Sequence, residues 1–435
     1  MTRRCLALLV LIGFVVAGAG IGPAYAGEMD ILLQKLVEKG VLTAGEAQEI
    51  KVETQEQVKK EISQGKSESS PKWAQNVKVK GDIRYRYQAE KRKGTNTDTD
   101  TGLTNSRERH RVRARLGVDA KVNQQLNGHF GIASGSDTDP RSTNQTLQDS
   151  FAKKPLWIDY AYVDYTPANW ATLYGGRMKN VLWEPGDMMW DTDINPEGGA
   201  VKLEYKYDPT LSFYLTNCAY IMDEYATTSD PWLYAIQPGA KWDITDRWSL
   251  QTAFGYNIFS QMQDRIMDST SSTNTRNAQS GLYYDFYVLN QNAEIMFKDP
   301  LKDTGISLPF GLDIPMVAGF GELAYNTESH DDGYLVGGKL GYDKVADWKQ
   351  WQLKYQYVYL GTNAWPDFLP DSDRYSGRTG IRSHEAVLGI GLGKNWSLDL
   401  DYYRNALVHG SNTGTTDTNR QRIEHLFQAN MNFKF

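Results

Sequence analysis

The 435-residue sequence has very little cysteine and no excess of positive charge. It contains two Cys residues and six His residues, and its formal net charge at pH 7 is −6. Two cysteines are too few for a thiolate zinc site or a disulfide framework, and no C-x-x-C-H sequence is present for covalent haem attachment. An acidic balance also argues against a nucleic-acid-binding surface. We therefore predict no metal, no cofactor and no nucleic-acid partner.

Long apolar runs are also missing, except at the N-terminus. Apolar residues make up 40% of the chain, which is too little for a helical membrane protein. The one long run occupies residues 5–22, follows two arginines, and precedes a small-residue pattern of Ala24, Ala26 and Gly27. This order predicts a secretory signal peptide over residues 1–26 that is cleaved before Gly27. A helical anchor is the alternative, but no cluster of charged residues follows the run.

The segment after the signal peptide has helical periodicity. Residues 27–62 contain two weak apolar stripes separated at Gly40, and Thr43 with Glu46 fits a capping box at the start of the second helix. A helical hairpin this short cannot bury its apolar stripe alone. We therefore expect the hairpin either to dock on the rest of the protein in the periplasm or to form a coiled coil with other copies of the chain. A mobile spacer is the alternative. Residues 63–76, rich in Ser, Lys and Gly, are predicted to form a linker.

From residue 77 onward, apolar and polar residues alternate. Segments of about ten residues with this period cross a bilayer as tilted strands. Eight long polar segments alternate with seven short turns near residues 123, 167, 208, 245, 301, 346 and 394. The pattern predicts an all-β transmembrane antiparallel β-barrel over residues 77–435 with about 16 strands. Pro309 and Pro315 interrupt the alternating pattern in one region, so any strand number from 14 to 18 is compatible with the sequence.

The last strand ends on an aromatic residue. Reading back in steps of two, one face carries apolar residues, among them Phe427, Met431, Phe433 and Phe435. This pattern resembles the C-terminal signal by which the barrel assembly machinery recognises bacterial outer-membrane barrels. It predicts location in the cell outer membrane of a Gram-negative bacterium, with long loops outside and the N-terminal helices in the periplasm.

A barrel of this size is too wide to be filled by its own side chains, so a water-filled channel is expected. If apolar faces contact lipid, an arginine ladder points inward, and it comprises Arg84, Arg86, Arg109, Arg111, Arg113, Arg115 and Arg177. The third long loop carries the candidate counter-charges Glu184, Asp187, Asp191, Asp193 and Glu197. We predict that this loop forms a constriction opposite the ladder and that the ladder favours anions.

Other interpretations stay open. Any wet barrel wall carries charges, and an acidic loop outside the pore could bind divalent cations or lipopolysaccharide. An enzyme is not predicted, because the six His residues are scattered and none belongs to a triad motif. The remaining alternative is a scaffold that sheathes an electron-transfer cytochrome, although such a role needs a wider lumen without a constricting loop.

Three segments resemble the Gram-negative "Putative porin" family: the helical start with Met29, Asp30, Leu32, Leu36, Gly40 and Leu42, the stretch from Tyr174 to Trp183, and the stretch from Trp351 through Tyr355 and Tyr357 to Ala364 and Asp373. The resemblance implies a short helical region before one large barrel, and passive diffusion of small hydrophilic solutes or ions. In trimeric general porins the third loop folds into the lumen, and this chain's acidic loop has the same ordinal position. By the same analogy we expect a homotrimer in contact with outer-membrane lipid and lipopolysaccharide.

Overall fold

The computed structural model describes scattered positions between residues 35 and 53 and the ranges 76–93, 106–268, 272–306, 308–408 and 423–435. The chain divides into two units, Met1–Gln75 and Asn76–Phe435. The predicted signal peptide and the predicted linker up to residue 75 lie outside the described residues. No helix within the described part of the chain is both long and apolar enough to cross a membrane.

The first unit contains the predicted capping box. The backbone N–H of Thr43 donates to Glu46 Oε2 at 2.8 Å, and the backbone N–H of Glu46 donates to Thr43 Oγ1 at 3.3 Å. Positions 35–37 and several positions from 45 to 53 are helical. The reciprocal bonds supply partners for amides that a helix start otherwise leaves unpaired.

The second unit is a closed antiparallel β-barrel. Each long strand pairs with the next long strand along the chain, and the last strand pairs with the first. The strands are β1 (Val77–Lys93), β2 (Ser106–Lys121), β3 (Leu126–Ser134), β4 (Gln145–Thr146), β5 (Leu156–Ala168), β6 (Ala171–Arg177), β7 (Glu197–Lys206), β8 (Leu211–Ile221), β9 (Trp232–Asp243), β10 (Trp248–Ser260), β11 (Phe286–Lys298), β12 (Met316–Asn326), β13 (Asp331–Gly341), β14 (Trp351–Leu360), β15 (Ile381–Gly393), β16 (Trp396–Leu407) and β17 (Ile423–Lys434).

Sixteen of these strands complete the barrel, which confirms the predicted number. The two-residue strand β4 only extends the pairing of β2 beyond β3. Pro309 lies in a short 3-10 turn, Pro309–Gly311, and Pro315 directly precedes β12. Both prolines therefore lie in the connection between β11 and β12, where a missing backbone donor breaks no strand pairing.

Along β17, apolar residues on the outer face of the barrel wall alternate with polar residues on its inner face. Phe427 and Phe433 are 37% and 39% exposed on the outer face, whereas Gln428 and Asn430 are buried inside the barrel. At the seam, the backbone groups of Phe435 and Gly81 exchange two hydrogen bonds of 3.0 Å. A Cβ on Gly81 would lie 2.5 Å from the Phe435 ring, so this close approach requires glycine. The role of these aromatic residues in membrane insertion stays a prediction.

Candidate functional site

The arginine ladder lies on the inner face of β1 and β2. Strand register places Arg84 opposite Arg113 and Arg86 opposite Arg111. The alternate positions Ile83 and Leu116 are 48% and 41% exposed on the outer face. Because successive side chains of a strand point to opposite faces, six of the seven predicted ladder residues face the lumen, namely Arg84, Arg86, Arg109, Arg111, Arg113 and Arg115.

Nearby carboxylates neutralise much of this ladder. Asp82, on the same inner face, accepts from Arg113 and Arg115 at 2.7 Å each. Farther out, Glu90 pairs with Arg109 at 3.3 Å. Arg109, Arg113 and Arg115 therefore belong to ion pairs and are not free positive charges.

Two ladder members bind the side chain or backbone of Asn144 instead of an acid. Arg84 Nη2 donates to Asn144 Oδ1 at 2.9 Å, and Arg111 Nη2 donates to the carbonyl of Asn144 at 3.1 Å. Asn144 lies in the second loop, residues 135–155, and is buried. This loop therefore also contributes to the lumen.

Arg177 differs from the prediction. It pairs in register with Ala161, and the residues of the same parity on β5, Val163 and Tyr165, are 48% and 43% exposed on the outer face. Its guanidinium forms an ion pair with the cross-strand residue Glu197. The arginine therefore faces outward. Tyr174 of the same strand packs against the interior cluster, so the inward and outward positions of β6 are the opposite of those inferred from the sequence. Glu197, also on the outer face, is likewise not part of a constriction.

The third loop, residues 178–196, folds into the barrel. Backbone N–H groups of Gly186 and Met188 donate to the two carboxylate oxygens of Glu322 on β12, at 2.6 and 3.3 Å. Trp183 exchanges two hydrogen bonds with Gln237 on β9, at 2.8 and 3.1 Å. Since the loop starts after β6 and its residues contact side chains of β9 and β12, it reaches across the inside of the barrel.

The ladder-facing side of the third loop presents Asp193. Its carboxylate accepts from Arg115 at 3.3 Å and from the backbone and hydroxyl of Thr143 at 3.0 and 2.9 Å. Burial alone would raise the pKa of Asp193, but the adjacent Arg113 and Arg115 hold it below the ordinary value. This carboxylate is therefore the direct link between loop and ladder.

Three other predicted loop acids lie deeper in the structure. Asp187 accepts from Arg374 at 2.7 Å, and Asp191 accepts from the backbone of Ser372 at 2.9 Å. Burial raises the pKa of Asp191 well above its ordinary value, and neighbouring Asp371 raises it further. Burial likewise raises the pKa of Glu184.

The seventh loop (residues 361–380) also enters the lumen, and the sequence analysis did not predict this. Arg374 is 1% exposed and pairs with Asp371 at 2.9 Å, with Asp187, and with Glu385 on β15. Asp373 of the same loop pairs with Arg86 of the ladder at 3.2 Å. The sequence signal was present, since Trp365, Phe368 and Leu369 are unusual in a polar outer loop.

Apolar packing fixes both loops inside the barrel. Trp190 of the third loop meets Trp365 of the seventh loop with ring centroids 6.2 Å apart. Trp365 in turn contacts Phe259 of β10 edge to face, with centroids 5.0 Å apart. The described apolar cluster also includes Met188 and Met189, both 1% exposed. This cluster fills one side of the lumen and leaves the polar side beside β1 and β2.

A polar cavity of about 260 Å³ remains between the ladder and the two loops. Basic side chains enter mainly from β1 and β2, whereas acidic side chains come from the loops, β15 and β16. Five basic and eight acidic residues line it: Arg84, Arg86, Arg113, Arg141 and Lys354, with Asp187, Asp191, Asp193, Asp371, Asp373, Glu385, Asp399 and Asp401. The acids of the third and seventh loops face the arginines of β1 and β2, and these opposite charges create an electric field across the cavity.

Comparisons with known proteins identify the family and a similar fold. A family model described as "Putative porin" matches residues 41–106 and 99–305. The fold is similar to the high-pH structure of Pseudomonas putida OprB, with a TM-score of 0.52 and 10% identity over 83% of this chain and 94% of that chain. No curated protein sequence matches the chain significantly.

Two other solved barrels align with this chain at lower TM-scores. The outer membrane channel DcaP of Acinetobacter baumannii aligns with a TM-score of 0.44 and 14% identity, over 82% of this chain and 97% of that one. A triple mutant of Rhodopseudomonas blastica porin aligns with a TM-score of 0.42 and 11% identity, over 82% and 100%.

Proposed function

The chain belongs to the "Putative porin" family, and from that membership we propose that it forms a water-filled channel in the outer membrane of a Gram-negative bacterium. Small hydrophilic solutes or ions would cross by passive diffusion. The closed 16-strand barrel, with apolar residues outside and polar residues inside, supports this role. Family and fold indicate a channel rather than an enzyme.

The observation that carries the proposal is the cavity between the arginine ladder and the third loop. Its volume is about 260 Å³, and charged and polar side chains line it. The walls are held by ion pairs, such as Arg115 with Asp193, and by buried loop amides on Glu322. We propose that this cavity is the constriction and that it sets the size limit of the channel.

Ion selectivity follows the balance of charges, and not the ladder alone. The eight acidic residues around the cavity outnumber the five basic residues, and burial keeps part of the acid protonated. Anions therefore gain no clear advantage, so the charge balance does not support the predicted anion preference. We propose weak overall selectivity with a strong transverse field, which orients dipolar solutes as they pass.

The cytochrome scaffold fits the lumen less well. A sheath must leave room for a folded partner, but the third and seventh loops meet inside the barrel, where the Asp191 amide donates to the Leu369 carbonyl at 2.7 Å. The apolar cluster on one side of the lumen takes up further space. Diffusion of small solutes is the function that this geometry supports best.

Analogy with other outer-membrane barrels supports further proposals about assembly and location. We propose a homotrimer, helices of residues 27–62 in the periplasm, and recognition of the Phe435 end by the barrel assembly machinery. Signal-peptide removal before Gly27 belongs to the same set of proposals.

Planar-bilayer recording under a KCl gradient tests the function. We expect ohmic single-channel steps and a reversal potential near zero for the wild type. The double variant Arg84→Ser and Arg113→Ser removes two positive charges from the cavity wall, so its reversal potential should move toward the cation side. Arg177→Ser is the matched control, because that arginine faces outward and pairs with Glu197. Absence of any conductance in correctly folded protein would refute the channel.

A further inference from the structure

Three charged side chains around the cavity have no partner of opposite charge. Arg84 lies on β1, Asp399 and Asp401 lie on β16, and all three are half-buried and line the cavity. Within the described residues, none of them belongs to an ion pair. By contrast, Arg115 on the same wall pairs with Asp82 at 2.7 Å. Because a charge held away from bulk water is costly without a partner, the arrangement favours a charged solute.

Asparagines of β17 stand between the two signs of charge. Strand register places Arg84 opposite Asn432, and Asn432 donates to Oδ2 of Asp399 at 2.6 Å. In the same way, Asn430 donates to Oδ2 of Asp401 at 2.6 Å. Since β17 separates β1 from β16, the cation and the acids lie on strands that are two spacings, or about 10 Å, apart. The opposite charges are therefore held apart instead of neutralising each other.

The basic end of this arrangement has a free donor. Nε and Nη2 of Arg84 both donate to Oδ1 of Asn144, at 3.2 and 2.9 Å. In the part of the chain that the structure describes, Nη1 of Arg84 donates to no group. A guanidinium N–H pairs well with a carboxylate, because both groups are charged. This end is therefore suited to the carboxylate of a solute.

The acidic end has free acceptors. Oδ1 of Asp399 and Oδ1 of Asp401 accept no hydrogen bond from any described residue. An ammonium group has three N–H donors and no acceptor, so a single ammonium can serve both carboxylates. This end is therefore suited to a primary ammonium group.

The distance between the two ends favours a compact solute. A charge-assisted hydrogen bond of about 2.8 Å at each end takes up more than half of the strand separation. The two charged groups of the solute must then lie within a few ångströms of each other, as they do in an amino acid.

We propose that the cavity binds a small zwitterionic solute of the amino-acid type, with its carboxylate on Arg84 and its ammonium on Asp399 and Asp401. The inference rests on the proposed channel function and names the class of solute for which the channel has a binding site. A solute with one charge leaves the opposite end without a partner, and an uncharged solute leaves both ends without one. Only a zwitterion supplies partners to both ends at once.

Four probes of similar size test the two ends separately. Alanine carries both charges, lactate lacks the ammonium, alaninamide lacks the carboxylate, and lactamide lacks both. Saturation-transfer NMR on the folded protein in nonionic detergent, near neutral pH and at low salt, gives a dissociation constant for each probe. We expect alanine to bind about tenfold to a hundredfold more tightly than lactate or alaninamide, since a hydrogen bond between charged groups contributes about that factor.

Variants assign each preference to its end of the cavity. Arg84→Gln keeps an amide donor for Asn144 but removes the charge, so alanine should bind no more tightly than alaninamide while its preference over lactate remains. The double variant Asp399→Asn and Asp401→Asn keeps the shape of both side chains, so alanine should bind no more tightly than lactate. Arg177→Gln is the matched control and should bind like the wild type, because that arginine faces outward. Heat-modifiable gel migration verifies that each variant is folded.

Three results would overturn the proposal. The first is equal binding of all four probes by the wild type. The second is binding of lactate and of alaninamide as tightly as alanine, which would show that the two ends hold separate counter-ions. The third is an unchanged preference for alanine in both lumen variants. Single-channel recording on the same preparations separates this proposal from the channel function, since a conducting barrel without a preference for alanine refutes only the solute site.

Discussion

Arg374 connects the two lumen loops, so its removal should loosen both. Its guanidinium lies 2.7 Å from Asp187 of the third loop and 2.9 Å from Asp371 of the seventh loop, and it also pairs with Glu385. Only 1% of the residue is exposed. Arg374→Met keeps an unbranched apolar side chain but leaves three carboxylates without their shared cation.

The size of the effect follows from burial. Removing one partner of a buried ion pair costs about 3–5 kcal/mol, because the remaining charge stays out of water. At about 1.4 kcal/mol per factor of ten, the equilibrium between packed and detached loops shifts from about a hundredfold to several thousandfold toward the detached state. Single-channel records of Arg374→Met should therefore show frequent excursions to a larger conductance.

Lowering the pH should partly suppress the conductance excursions of Arg374→Met. Burial tends to raise the pKa of Asp187, and in the wild type Arg374 holds it below the ordinary value. Without the arginine the carboxyl binds its proton more readily, so lowering the pH should neutralise it at a higher pH than in the wild type and reduce the excursions to larger conductance.

The control for this experiment is Arg378→Met, in the same loop, where the guanidinium packs over the Tyr375 ring at 5.6 Å. Both variants lose one positive charge. If Arg374→Met is no noisier than Arg378→Met and unfolds at the same temperature, the arginine does not connect the loops and the reasoning fails.

Two further predictions concern the same loops. Burial raises the pKa of Asp371 to about 8, so this carboxyl takes up a proton on folding, and its favourable contribution to stability is lost as the pH rises from about 4 through 8. Asp371→Asn should therefore reduce the fall in thermal unfolding midpoint between pH 5 and pH 9, and an unchanged fall would contradict the assignment. Glu322→Gln replaces one acceptor oxygen by a donor, so one of the amides of Gly186 and Met188 loses its partner at a cost of about 1–3 kcal/mol. Faster amide hydrogen exchange at these two residues checks this prediction, and unchanged exchange would refute it.

Much of the barrel could be predicted from sequence, because alternation with a period of two has a direct physical cause. Lipid contacts one face of each strand and water contacts the other, so the parity of Arg84 or Arg113 could be derived from their apolar neighbours. Turn positions were predictable for a similar reason, since polar segments must leave the membrane.

The prediction failed where the lumen is not aqueous. Tyr174 faces inward because the third loop brings apolar residues into the barrel, and this reverses the parity inferred for Arg177. The entry of the seventh loop depends on contacts between distant segments, such as Trp365 with Phe259 and Arg374 with Asp187. Periodicity within one segment contains no information on such contacts, although the apolar residues of the loop indicated burial.

The central claim is that the third loop narrows the conducting path, and cysteine modification at Thr192 tests it most directly. Thr192 is exposed and lines the cavity beside Asp193. In a Cys218→Ala background, reaction of Thr192→Cys with a cationic methanethiosulfonate reagent adds bulk and charge within the passage. We predict a stepwise fall in single-channel conductance upon labelling, and no change for Thr210→Cys in the exposed turn between β7 and β8. Complete labelling at residue 192 with unaltered conductance would contradict the account.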